Sequence, residues 1–163
     1  MANVKNYRKQ GGEEWVVGGK LAVEGSGKIE AEKVERKVVS AVIASADAAD
    51  ATADEETIAV FSQDVTVKKV TFVPDSTQSG QDTDTAKLLI RNFGDDNSGE
   101  DDVAEFEQTD NNDLAERVPQ EFDLDENEVE IDAGDVLGWR REKVESGVNQ
   151  PAGVVFIEYT VDQ

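Results

Sequence analysis

The chain of 163 residues carries 37 Asp and Glu against 16 Lys and Arg, a formal net charge of −21, and has neither Cys nor His. Those absences exclude disulfides, thiolate and imidazole catalysis, and every Cys- or His-based metal site. The excess of carboxylates argues against nucleic acid, whose phosphates are held by Lys and Arg, and no apolar run approaches the roughly 18 residues of a membrane span.

Residues 1–37 read as an arm. Gln10-Gly11-Gly12 and Val17-Gly18-Gly19 punctuate two short extended pieces, 14–17 and 20–23, before a further turn at Gly25-Ser26-Gly27. So few residues with so many glycines do not build a core of their own, and the segment is expected to order against another surface. Trp15, Val16, Val17 and Leu21 are its interface candidates, because exposing an indole and three aliphatic side chains gains nothing without a partner. Residues 29–37 (IEAEKVERK) have a brief helical pattern, and the Ala-rich run 44–53 suits a helix, a turn or a linker.

Residues 38–163 read as one domain of short strands. The candidates are 38–44, 57–61, 65–73, 87–92, 103–107, 118–124 with 129–131, 136–143 and 154–161. In 65–73 the apolar positions Val65, Val67, Val70 and Phe72 change phase near Lys68-Lys69, as a bulge would make them do. In 154–161, Val155, Ile157, Tyr159 and Val161 share one face, and Phe156, Glu158 and Thr160 share the other. Pro74, Pro119 and Pro151 fall at or beside strand ends, where a missing N–H is tolerated. No long amphipathic helix is available to cover a sheet, so the sheets must cover each other. The expected fold is an all-β, antiparallel β-sandwich of jelly-roll type.

The charge is concentrated: residues 75–135 hold 21 acids against Lys87, Arg91 and Arg117. The acids are dispersed over turns and polar strand positions, which suits a surface adapted to molar salt, where the Debye length is about 3 Å. Asp123, Asp125 and Asn127 match the start of an EF-hand loop, but Glu128 stands where Gly is needed and Gly134 where the bidentate Glu belongs. The run 95–102 offers side-chain and backbone oxygens to a cation, but a mobile hairpin loop is the preferred reading. No phosphate-binding, nucleophile-elbow or dinucleotide motif occurs, so no catalytic residue, metal or cofactor is expected. Trp139 is expected in the core. Arg140 and Arg141, with Lys143, form the one basic island of the domain and are candidates for pairing with an acidic neighbour across an interface.

Ala133-Gly134-Asp135-Val136-Leu137, the loop residues Gly147 and Asn149, and Pro151-Ala152-Gly153-Val154-Val155 leading into Ile157-Glu158-Tyr159 resemble the closing strands of jelly-roll domains in tailed-virus head decoration (cement) proteins. Val67 to Asp75, followed by Gly80, Asp82, Thr83 and Leu88, looks like the early strands of the same domain. Gln10 to Gly19 is similar to the N-terminal arms of head-fibre and decoration proteins. The resemblance implies a virion component on the capsid exterior, a homotrimer whose arm docks on the major capsid protein while the jelly roll faces outward. The acidity departs from the family pattern and points to a virus of a halophilic archaeon. A carbohydrate-binding or adhesion module is the alternative, since jelly rolls host sugars on exposed aromatics.

Overall fold

A computed structural model describes residues 7–8, 15–16, 36–47, 52–81, 83–96, 98–99, 101–109 and 112–162. The chain divides into two units, Met1–Val34 and Glu35–Gln163. The first holds an antiparallel pair, β1 (Tyr7–Arg8) and β2 (Trp15–Val16), with Tyr7 opposite Val16 and Arg8 opposite Trp15. The extended piece expected at 20–23 lies outside the described residues.

The second unit is all-β, with no helix among the described residues. Its strands are β3 (Lys37–Ile43), β4 (Thr52–Val60), β5 (Val65–Pro74), β6 (Thr85–Asn92), β7 (Asp101–Gln108), β8 (Gln120–Glu121), β9 (Asp123–Leu124), β10 (Glu130–Ile131), β11 (Val136–Val144) and β12 (Gly153–Val161). They form two antiparallel five-stranded sheets. The first runs β10-β5-β12-β3 with β8 also on β5, and the second runs β4-β11-β6-β7-β9. The pairs nest around the β6–β7 turn: β6 pairs with β7, β5 with β8 and β10, β4 with β11, and β3 with β12. Pairing of β5 with β12 and of β6 with β11 completes the two sheets.

Three local expectations change. Residues 29–35 of the helical pattern lie outside the described residues, and Lys37 opens a strand instead. The Ala-rich run is not helical where it is described: Ala46 bridges to Gln150, and β4 begins at Thr52. The stretch 118–131 breaks into three two-residue strands, because the chain passes at Phe122 from pairing with β5 in the first sheet to pairing with β7 in the second, and the polar turn at Asp125–Asn127 then separates β9 from β10.

The core lies between the sheets. Ile43, Val65, Val67, Val70, Phe72, Val155 and Ile157 come from the first, and Leu88, Ile90, Ala104, Leu137 and Trp139 from the second. Complete burial of one such side chain contributes about 1.5–3 kcal/mol. Trp139 bridges the layers: its ring centroid lies 5.0 Å from that of Phe72 and 5.7 Å from that of Phe122. Its indole N–H donates to Gln150 Oε1 at 3.2 Å, so the one polar atom of the ring is satisfied inside the core.

The phase change in β5 is a bulge. Lys69 stands opposite Glu158 and Val67 opposite Tyr159, leaving Lys68 without a counterpart on β12. The extra residue lets Val65 and Val67 share the core side with Val70 and Phe72 despite the change in parity. At the start of β12 the backbone passes so close to β5 that only glycine fits. A Cβ on Gly153 would sit 2.5 Å from the Val73 carbonyl oxygen and 2.6 Å from the Phe72 ring.

Candidate interaction surface

The sequence-based candidates fall in different places. Trp15 and Val16 form β2, while Val17 and Leu21 lie outside the described residues. Arg140 and Arg141 are consecutive on β11 and therefore point to opposite faces. Arg141 shares the inner face with Trp139 and is fully enclosed, its Nη2 donating to the Val148 carbonyl oxygen. It presents no surface to a partner, so only Arg140 retains an outward position. Trp139 is 1 % exposed, which removes one of the two indoles from any sugar-stacking platform.

The outer face of the second sheet is a lattice of ion pairs. Arg91 grips Asp102 with two bonds, Nε to Oδ1 at 2.6 Å and Nη2 to Oδ2 at 2.9 Å, and approaches Glu142 at 3.7 Å. Arg140 Nε lies 2.9 Å from the same Glu142, and Lys87 lies 3.6 Å from Glu105. Between Arg140 and Glu105 across the strands, Leu89 is enclosed at 1 % exposure on this outer side. The guanidinium of Arg91 is itself buried, its side chain 8 % exposed, and the carboxylates of Asp102 and Glu142 that pair with it remain partly open to solvent at 37 % and 36 %.

The outer face of the first sheet has the opposite character. Cross-strand pairing aligns Val42, Val154 and Val73 in one row, then Ser40, Phe156 and Thr71, then Val38, Glu158 and Lys69. Val42 is 76 % exposed, Val38 58 % and Phe156 37 %. The charges bordering this apolar band come as two ion pairs, Arg36–Glu158 at 3.4 Å and Lys69–Glu121 at 2.6 Å. On a chain of net charge −21, an apolar band with balanced borders is the feature that needs a physical explanation. Its signal in the sequence was hidden, because Val38-Val39-Ser40-Ala41-Val42-Ile43 is apolar at nearly every position and gives no phase.

The acidic loops resolve as turns. Asp125 Oδ1 accepts from the Asn127 backbone N–H at 3.0 Å and from Nδ2 at 3.1 Å. Asp96 Oδ1 accepts from the Ser98 hydroxyl at 2.6 Å and its backbone N–H at 3.0 Å. Those bonds, the hydroxyl first, hold the Asp96 carboxyl below the usual carboxylate range. Asp102, Glu105, Asp123, Asp125 and Glu126 line an open hollow beside β9. Among the described residues no three acidic side chains converge as metal ligands. Comparison of the chain with family models, with curated proteins and with solved structures returns no match.

Proposed function

We propose that this chain is a structural virion protein, a head decoration (cement) protein of a tailed virus with a halophilic archaeal host. On this reading it acts by attachment and not by catalysis, its strands forming a jelly roll that faces outward and its N-terminal segment docking on the major capsid protein. The observation that carries the reading is the division of the surface. One sheet presents an apolar band with balanced charges, and the other presents a network of ion pairs. In molar salt long-range electrostatic attraction is screened, whereas burial of apolar surface persists, so an apolar band suits contacts with neighbouring subunits on the shell that add to the docking of the N-terminal segment. The nested pairing of β3 with β12, β4 with β11, and β5 with β8 and β10 supports the jelly-roll connection, since that fold is a long hairpin rolled up on itself. Many copies on a symmetric shell turn modest single contacts into strong attachment.

The test is add-back: purified full-length protein is mixed with heads that lack it in molar NaCl and sedimented. Stoichiometric co-sedimentation supports the proposal, and protein left in the supernatant refutes it. Trp15→Ala should reduce co-sedimentation while the melting transition of the isolated chain stays in place. Loss of that transition would make Trp15 part of the fold instead of an anchor.

A further inference from the structure

Among the described residues, five strands lie at the ends of the two large sheets, and four of them carry features that discourage another strand from adding. β8, β9 and β10 are two residues long and contain Glu121, Asp123 and Glu130. β4 contains Asp54, Glu55 and Glu56, and its register against β11 shifts twice. Short length, charge and bulges are the devices by which natural sheets protect their edges. β3 departs from this pattern. It runs seven residues, pairs with β12 without a register shift, contains no acid, and has Lys37 at its first position as its one charge. Two of its side chains, Val38 and Val42, stand on the outer face at 58 % and 76 % exposure.

We infer that β3 is a homotypic edge: it pairs antiparallel with β3 of a second copy about a twofold axis at Ser40, joining the two first sheets into one. The strand is self-complementary in this register. Val38 falls opposite Val42 of the second copy, so the exposed valines become cross-strand neighbours on the outer face. Lys37 falls opposite Ile43 of the second copy. Beside it lies Ala44, whose backbone N–H donates to Glu56 Oε1 at 3.4 Å. The basic start of each strand, Arg36-Lys37, therefore meets a carboxylate at the far end of the other, twice per pair. Charge also selects the edge. Carboxylates set directly opposite one another still repel within the Debye length of molar salt, and among the described end strands β3 is the one that pairs with its own copy without opposing carboxylates. The contact is isologous and closes at two copies, in place of the threefold unit that the resemblance implies. It stands independently of the virion reading.

Because the chain has no cysteine, Ser40→Cys introduces a single thiol at the axis. Directly opposed antiparallel residues have Cα atoms about 4.5–5.5 Å apart, within the range of about 4.4–6.8 Å that a disulfide spans. Under mild oxidation in molar NaCl, S40C should form a covalent dimer, while S62C, on the exposed bend after β4, should not. Sedimentation equilibrium of the unmodified full chain should give a reversible dimer, and Val42→Lys should raise its Kd about tenfold or more with an unchanged far-ultraviolet spectrum. A wild-type monomer or trimer, a Val42→Lys dimer as tight as wild type, or S40C that crosslinks no faster than S62C overturns the inference. If Val42→Lys loses its β-sheet spectrum, the comparison of the two cysteine variants decides alone.

Discussion

Replacing Trp139 by Ala tests whether one indole holds the two sheets together. Truncating a buried Phe or Trp costs about 3–5 kcal/mol through lost burial and the cavity left behind. Here the substitution also removes the donor to Gln150 Oε1, whose residue is 3 % exposed. Leaving such an acceptor unpaired adds about 1–3 kcal/mol, for a total near 5 kcal/mol or above. Ordinary domains unfold with about 5–15 kcal/mol, so Trp139→Ala should be barely folded or unfolded. Trp139→Phe keeps a ring packed between Phe72 and Phe122 and loses chiefly the N–H, so about 2 kcal/mol is expected. Urea titration in molar NaCl is the suitable assay, because urea leaves the ionic strength unchanged. Far-ultraviolet circular dichroism should follow it, since the mutation deletes one of the two indole fluorophores. A loss below about 2 kcal/mol for Trp139→Ala would refute the clamp between layers.

Three further outcomes follow from the same geometry. The purified chain should melt cooperatively in molar NaCl and lose that transition in dilute buffer, where its carboxylates repel across about 10 Å or more instead of about 3 Å; indifference to salt on calorimetry would remove the case for salt adaptation. Gly153→Ala should cost about 1–3 kcal/mol, because the new methyl meets the Val73 carbonyl and the Phe72 ring; a urea midpoint at the wild-type value would contradict that close approach. The folded pKa of Asp96 is depressed, so its hydrogen bonds favour the folded loop above the ordinary carboxylate range and that contribution is lost as pH falls through the lowered value. Ser98→Ala should move the Asp96 titration upward in a carboxyl-carbon NMR experiment, and an unmoved titration would show that Ser98 is not the cause.

Much of the fold was legible because period-two patterns survive where one face is buried and the other wet. The bulge at Lys68 could be read from Val67 and Val70 being three apart, and the last strand from the alternation Val155 to Val161. Strand β4 was read short, since Thr52-Ala53-Asp54-Glu55 has the composition of a linker and owes its extended form to pairing with β11. The burial of Arg141 was available but missed. Once Trp139 is assigned to the core, the residue two positions on shares its side of the strand, so the basic pair had to be split between inside and outside. The apolar band on the first sheet was not legible, because β3 has apolar residues on both faces and composition alone cannot say which is covered.

The nested order of pairing has a consequence for biosynthesis. Among the described residues, strand 37–43 pairs only with 153–161 and 52–60 only with 136–144, so the first sheet cannot close until 153–161 has left the ribosome, nor the second until 136–144 has. Contacts this remote in sequence make folding slow and leave half-made sheets waiting with open edges. During that wait, the carboxylates crowded into the middle of the chain act as gatekeepers at contact range, opposing strand pairing between nascent copies before any assembly begins.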